Sequence, residues 1–573
     1  MAQRASGRDV MRHQRPPHRA ASPSPREYRR TSTRPAGGSA NHVQAVAPNL
    51  EEETVVLPPF PPLPRPDPDL IPFTASADRA ARSADRAARA EAERSGGDRQ
   101  HAMAQLAWVL PTLVAGALGL IRIGWPALWA DELATWGMVT IPWEREWQVL
   151  QHTDATLGAY YGLMHAWVSV LGDSDVLLRL PSVLAMAAAA GLTARIGTRL
   201  ASPRVGLLSG LVFAVLPTTS RYGQEARPYA LVVFAAVLSS LALAHLLDGP
   251  RRRTLAVYAL AIALLGLLHV IALLLVPAHA LVVLAVRRSL FPSWLVAAGI
   301  GMLPALPVLY LGSQQTAQVS WIQAPTSSSL AAFPAVLLGT AVGAGMVLAL
   351  AMSAVSTRHP VVLYASWALT PLIGLFVVSQ VTALWLPRYL LFTAPAWALL
   401  AGTALGRARL VRGVAGLAVV AAVGVTAHVS LREADAHLQA TREAAALISS
   451  RMKPGDAIVY SSGDRGAAVY GTSDRVGRDL VAHYVPADRR PADVLQAVPQ
   501  RTAGRVTAVE CTNVARCLRN RKRVWVLRLG HETDPLQNLG GTKGTVLRNG
   551  YYVSSAWYPR GLTVALVLPK PTG

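Results

Sequence analysis

Three carboxylates and three guanidinium groups stand where the apolar runs of this chain are briefly interrupted. Asp131 and Glu132 are adjacent in "GWPALWADELATW", residues 124–136. Arg221, Glu225 and Arg227 fall in "RYGQEARPYAL", residues 221–231, and Arg388 precedes Tyr389 in "WLPRYLLFTAPAWALL", residues 385–400. Acids beside apolar segments are costly unless they are solvated, paired or at work. A carboxylate in reach of a hydroxyl can take its proton as a general base. The planar fork of a guanidinium suits a phosphate, to which it makes two charge-assisted hydrogen bonds. Asp131 is therefore the candidate base, with Glu132 positioning the hydroxyl or helping to hold a divalent cation. Arg227 and Arg388 are the candidate anion binders, and Arg221 is the third.

The other titratable candidates are weaker. His269 lies at a turn in "GLLHVIALLLVPAH", a place where a lone histidine more often caps or packs than touches substrate; His152 and His165 rank below it. No H-E-x-x-H or Cys/His cluster is present, so a metal site would rest on Asp131 and Glu132 alone, and a divalent cation such as Mg or Mn is the only cofactor the sequence leaves open. There is no Walker A or G-x-G-x-x-G signature, and no nucleic-acid-binding motif accompanies the net charge of +22.

The elements that must position these residues are membrane helices. Of the 573 residues 52% are hydrophobic, and mean hydropathy is positive at +0.31. Repeated apolar runs between residues 104 and 431 read as transmembrane helices, since about 20 apolar residues cross a bilayer core. Before residue 104 there is no signal-peptide core. The chain opens with an Arg-, Pro- and Ser-rich segment: "PPFPPLPRPDPDLIP" (58–72) is expected to be extended, and "DRAARSADRAARAEAERS" (78–95) suits a polar helix. Residues 1–103 are expected to form a disordered cytoplasmic tail.

Arginines mark the inner loops. They fall at 195–204, 251–253, 287–288, 358 and 407–412, and consecutive inner markers require an even number of crossings between them. Of the candidates 104–124, 157–171 and 176–198, only two can then cross, so the short "LGAYYGLMHAWVSVL" is read as an interfacial helix on the outer face. The same parity splits 255–286 into two short crossings that turn near His269. About eleven spans result. On this map eight of the nine acids between 101 and 432 lie at the outer face, and only Asp248 lies inside.

Taken in order, "LWADELATW", "HTDATLGAYYGLMHAW", "SRYGQEARPYAL" and "WLPRYLLFTAPAWALL" resemble the C-type integral-membrane glycosyltransferases that use polyprenyl-phosphate sugars. The nearest branch holds the protein mannosyltransferase-like and aminoarabinose transferase-like enzymes. The resemblance covers residues 104–431. An acidic pair opens the first outer loop, here Asp131–Glu132. The family's D-x-x-P-P-L-Y-Y is "DATLGAYY" here, keeping Asp154, Tyr160 and Tyr161 without either proline, which sets the chain apart from the true protein O-mannosyltransferases. The Q-E-A-R-P-Y and R-Y elements match at 224–229 and 388–389. The resemblance implies transfer of a sugar, mannose by family habit, from a polyprenyl phosphate to a cell-envelope glycan, lipid or protein at the extracytoplasmic face of the plasma membrane. It also implies that Arg227, Arg388, Arg221, Glu225, Asp154, Tyr161, Tyr229, Tyr389 and His269 line the donor-phosphate and substrate site, with Glu225 orienting the arginine. The Arg-heavy, Lys-poor composition points to a high-GC bacterium, whose natural carriers are decaprenyl- or undecaprenyl-type lipids.

Residues 432–573 read as a small extracytoplasmic α/β domain. The spacing of Leu438, Ala445 and Ile448 suggests a helix, and strands are expected at 456–461, 523–529, 551–558 and 562–568. Cys511 and Cys517, the only cysteines, are expected to form a local disulfide outside the cell. Nothing in this domain looks catalytic. The fold class is thus an α-helical polytopic membrane protein carrying a small outer α/β domain. The rival from another class is a transporter or lipid flippase. Such a protein calls for charges buried within spans or paired broken helices, and here the spans are largely uncharged with the acids gathered on one face. A catalytically dead scaffold is the third reading, and the retained Asp131 and Arg388 weigh against it.

Overall fold

A computed structural model describes residues 59, 61–62, 73–319, 321–355, 359–462 and 473–571. Apart from Pro59, Pro61 and Pro62, the expected extended stretch at 58–72 lies outside them. The Phe73–Leu120 helix takes in the polar 78–95 segment and runs without a break into the first apolar run.

The helical part is a multi-pass membrane protein. Among the described residues six helices are long and apolar enough to cross a bilayer: Asp175–Leu200, Tyr229–Asp248, Val270–Met302, Pro360–Val378, Pro387–Arg407 and Leu410–Ser430. A seventh is counted if Ser327–Leu338 and Ala341–Ser353, bent by 91° at their junction, act as one. Gly339 makes that bend possible, since its φ of +97° is a conformation that side-chain-bearing residues rarely adopt. Shorter apolar helices are Ala107–Leu120 and Pro203–Val215.

Helix starts follow local chemistry. Ser174 and Ser202 accept hydrogen bonds from the amides of Leu177 and Val205, and Pro203 follows its cap at a position where no amide is needed. The Asp175–Leu200 and Pro203–Val215 helices touch through Gly197 and Gly206. A Cβ on Gly206 would stand 2.4 Å from the Ala194 carbonyl, so this close approach excludes any larger residue. The 255–286 run is interrupted at His269, between the Arg252–Leu268 helix and a 3-10 turn at Val270–Leu274.

The four expected strands are all present, as β1 Ala457–Tyr460, β5 Val524–Leu529, β6 Tyr551–Trp557 and β7 Leu562–Pro569. Three shorter ones are added, β2 Ala492–Asp493, β3 Gln496–Val498 and β4 Val509–Glu510. The main sheet runs β2-β1-β5-β7-β6; β1 is parallel to β2 and β5, while β7 is antiparallel to β5 and β6. The expected C-terminal helix begins at Thr441, beyond Leu438, whose positive φ of 64° places it in a turn. Cys511 and Cys517 are joined by a disulfide.

Alternation along the strands decides how this sheet meets the rest. Ala457, Val459, Val524, Val526, Ala565 and Val567 face a core of the domain's own. Their neighbours Ile458, Tyr460, Trp525, Leu527, Val564 and Leu566 face the other way, into a core that also holds Leu128, Leu133, Tyr160, Tyr161 and Met164. The segment after the first apolar helix and residues 432–573 therefore share one hydrophobic core. Asp175 ties them by charge as well, accepting from Arg442 (2.6 Å), His483 (2.7 Å) and Tyr484 (2.8 Å).

Candidate active site

Asp131 and Glu132 sit in the first turn of the Ala130–Val139 helix. Trp129, at the cap position, has no side-chain oxygen to offer the free amides there, and partners from far along the chain supply them. The Ala130 amide donates to Gln439 Oε1 (2.8 Å) and the Leu128 amide to the Tyr484 hydroxyl (2.8 Å). The Thr441 hydroxyl donates to the Leu128 carbonyl (2.6 Å). The C-terminal domain thus holds the start of the helix that carries both acids.

The two acids part company at once. Glu132 is fully buried, and Arg179 grips both its oxygens, with Nε 2.7 Å from Oε1 and Nη2 2.6 Å from Oε2. The amides of Ala226 (2.9 Å) and Trp129 (3.4 Å) donate to the same carboxylate. Glu132 is therefore not free to position a hydroxyl or to share a cation with Asp131, which corrects the expectation from sequence. The group it serves is structural: it pins the 225–226 backbone to the acid-bearing helix. Among the described residues no group of three His, Cys, Asp or Glu side chains is arranged to hold a metal ion.

Asp131 stays partly open, with 30% of its side chain exposed, and faces two arginines. Its Oδ2 lies 4.0 Å from Arg227 Nε and 3.9 Å from Arg388 Nη2. These separations exceed a hydrogen bond of about 2.7–3.2 Å, so the Asp131 carboxylate attracts both guanidinium groups without taking their donors, while Arg227 Nη1 donates to the Asp131 backbone carbonyl at 3.5 Å. Both Nε atoms are buried and without a hydrogen-bond partner. The carboxylate of Asp131, with those of Asp154 and the nearby phenols, holds the Arg227 guanidinium well above its ordinary pKa against the cost of burial. An anionic ligand entering here would find two charged donors already placed.

Aromatic rings wall the site. Tyr229, His269 and Tyr389 pack together, with ring centroids 4.9 Å apart for His269 and Tyr389 and 6.2 Å for Tyr229 and His269. The Arg388 guanidinium lies over the Tyr229 ring at 6.0 Å. Arg221 is placed differently. Its side chain is exposed and covers the Tyr222 ring at 5.6 Å, without pairing to Asp131. Glu225 is 1% exposed and neither carboxyl oxygen has a hydrogen-bond partner, so it does not orient Arg227 through its side chain as expected. Its backbone carbonyl does the anchoring instead, accepting from Ser182 Oγ (2.7 Å) and from the Arg227 amide (2.8 Å).

Asp154 and Tyr161 extend the site toward the C-terminal domain. Asp154 has a left-handed backbone (φ 57°), accepts the Tyr161 hydroxyl at 3.3 Å and pairs with Arg475 Nη2 at 2.9 Å. The Tyr161 hydroxyl also lies against Arg227, and burial together with Asp154 pushes its pKa up. Sequence reasoning missed Arg179 and Arg475. Arg179 sits near the start of an apolar helix, where a lone arginine reads as an interfacial charge, and Arg475 belongs to a segment without a motif. Beside Asp154, a polar cleft of about 580 Å³ opens between Gln148, Gln151 and Thr153 on one side and Thr502, Arg505 and Thr507 on the other. His152 also lines this cleft and lies against the Gln148 carbonyl (3.0 Å), while His165 turns away to Glu146 (2.8 Å).

No protein-family model matches the chain, and no curated protein matches it in sequence. Solved structures do match. The chain is similar to ArnT from Cupriavidus metallidurans in the apo state, with a TM-score of 0.53 and 14% identity over 81% of this chain and 99% of that one. The same protein bound to undecaprenyl phosphate gives a TM-score of 0.52 at 13% identity over the same shares. At this level of identity the likeness is one of fold alone.

Proposed function

We propose that this protein is a membrane glycosyltransferase that moves a sugar from a polyprenyl-phosphate donor onto a hydroxyl of a cell-envelope acceptor at the extracytoplasmic face. The observation that carries the reading is the loose triangle of Asp131, Arg227 and Arg388, in which a partly open carboxylate stands about 4 Å from two half-buried guanidinium groups whose buried Nε donors are unused. Shared fold with a protein whose structure holds undecaprenyl phosphate adds support. In this reading the donor phosphate takes the free donors of Arg227 and Arg388. Asp131 accepts the proton of the acceptor hydroxyl as that oxygen attacks the anomeric carbon. The bond from that carbon to the phosphate oxygen breaks, and the two guanidinium groups hold the charge left on the departing lipid phosphate. Tyr229, His269 and Tyr389 form the wall against which the donor lies.

The topology that goes with this is the eleven-crossing map, with the N-terminus inside and residues 432–573 outside. Counts above the six or seven long helices draw on Ala107–Leu120, on Pro203–Val215 and on helices broken at a turn. Mannose is the sugar the sequence resemblance favours. The polar cleft beside Asp154, lined with amides and hydroxyls, suits a hydrated, hydroxyl-rich acceptor. The test is transfer from labelled undecaprenyl-phosphate mannose by purified membranes. Product formed by the wild type and not by Arg388→Ala supports the reading. Absence of any transfer from a panel of polyprenyl-phosphate sugars would overturn it.

A further inference from the structure

Glu225 is a carboxyl of the site for which the scheme above has no use, and its surroundings are unusual. It is 1% exposed, both oxygens lack a hydrogen-bond partner, and no cation lies within ion-pair distance of it among the described residues. The charged and titratable groups around it come from four elements. Asp131 and Glu132 face it from the Ala130–Val139 helix, Arg221 and Tyr222 from Pro217–Gly223, Tyr160 from Gly158–Leu171 and Arg388 from the Pro387–Thr393 turn. Tyr160, itself fully buried, likewise has a hydroxyl without a partner.

A buried carboxylate with no donor, no ion pair and two other carboxylates nearby is a costly arrangement, and such a group neutralises itself by keeping its proton. An acid in that state has something an anion lacks: an O–H to donate. The ligand for which Arg388 is poised brings further negative charge to the same place, and that charge strengthens the hold of the proton. We propose that Glu225 works as a neutral carboxylic acid that donates a hydrogen bond to the phosphate of the lipid donor, so that phosphate binding and protonation of Glu225 favour each other. This deepens the proposed function and rests on it. Burial, opposed by Arg221 and reinforced by Glu132 and Asp131, brings the Glu225 pKa up to about 7, so the coupling would fall within a physiological range.

The sign follows from linkage. With one proton taken up per phosphate bound, affinity is full below the pKa of Glu225 and falls by about tenfold per pH unit above it. The experiment measures binding of undecaprenyl phosphate to the full-length detergent-purified protein between about pH 6 and pH 9, for wild type and Glu225→Gln. Glutamine keeps the shape, an N–H donor and no charge, so its affinity is expected to lack the alkaline fall that the wild type shows. Titration of the phosphate itself is common to both proteins and cancels in the comparison. Equal pH slopes for the two proteins would overturn this inference and leave the proposed function standing. No binding by either protein at any pH would overturn the lipid-phosphate site and this inference with it. Glu225→Asp, shorter by one methylene yet still titratable, is expected to keep the alkaline fall; its loss there would also count against the proposal.

Discussion

Glu132 and Arg179 close on each other completely: two hydrogen bonds of 2.6–2.7 Å join them, and neither side chain reaches solvent. Their neighbour Asp131 is 30% exposed and touches its arginines only at about 4 Å. Adjacent acids on one short helix thus divide the work, one as a fastening and one as an open carboxylate.

Removing one member of the closed pair leaves the other charged and buried. Glu132→Ala or Arg179→Ala is therefore expected to cost about 3–5 kcal/mol of stability. Thermal unfolding of the detergent-purified protein would read this as a large fall in Tm. A Glu132→Ala protein of wild-type stability would show that the pair is not structural.

Arg388 meets Asp131 loosely and packs over Tyr229, so its loss leaves no tight partner stranded. Arg388→Ala is expected to lower transfer by about 10²–10³-fold, the usual cost of losing one placed donor to a developing anion. Arg388→Lys is expected to recover little of it, because an ammonium lacks the planar fork. Steady-state kinetics with varied donor would check both, and full activity in the lysine variant would argue against fork recognition of the phosphate.

The C-terminal domain reaches the site through Arg475, which holds Asp154 at 2.9 Å while Tyr161 bridges Asp154 and Arg227. Arg475→Ala and Asp154→Ala are expected to impair transfer non-additively, with a coupling of about 0.5–3 kcal/mol for residues in contact. A double-mutant cycle on kcat/KM measures it. Strict additivity would show that the link does not bear on the reaction.

Much of this was legible before any coordinates, and the reason is chemical. Asp131, Arg227 and Arg388 stood out because a charged residue beside a long apolar run has few bland explanations. The strands at 457–460, 524–529, 551–557 and 562–569 were legible because β-branched and aromatic residues are dense there. β2, β3 and β4, at two or three residues each, are too short to show a period. Glu132 was misjudged because adjacency in sequence says nothing about direction: its partner Arg179 lies 47 residues on, and only the fold brings the two together. Residues 432–573 looked remote from chemistry for the same reason. Their contributions to the site, from Gln439, Thr441, Arg475 and Tyr484, are single side chains scattered over a domain without a motif.

The central claim is that Asp131 takes the acceptor proton, and Asp131→Asn tests it most directly. The variant keeps the shape of the side chain and does not touch the Glu132–Arg179 pair, so it is expected to fold with an unchanged Tm. Transfer from labelled undecaprenyl-phosphate mannose, measured side by side with the wild type, is expected to fall by about 10²–10⁴-fold, the usual contribution of a general base. Transfer near the wild-type rate by the well-folded Asp131→Asn protein would contradict the account.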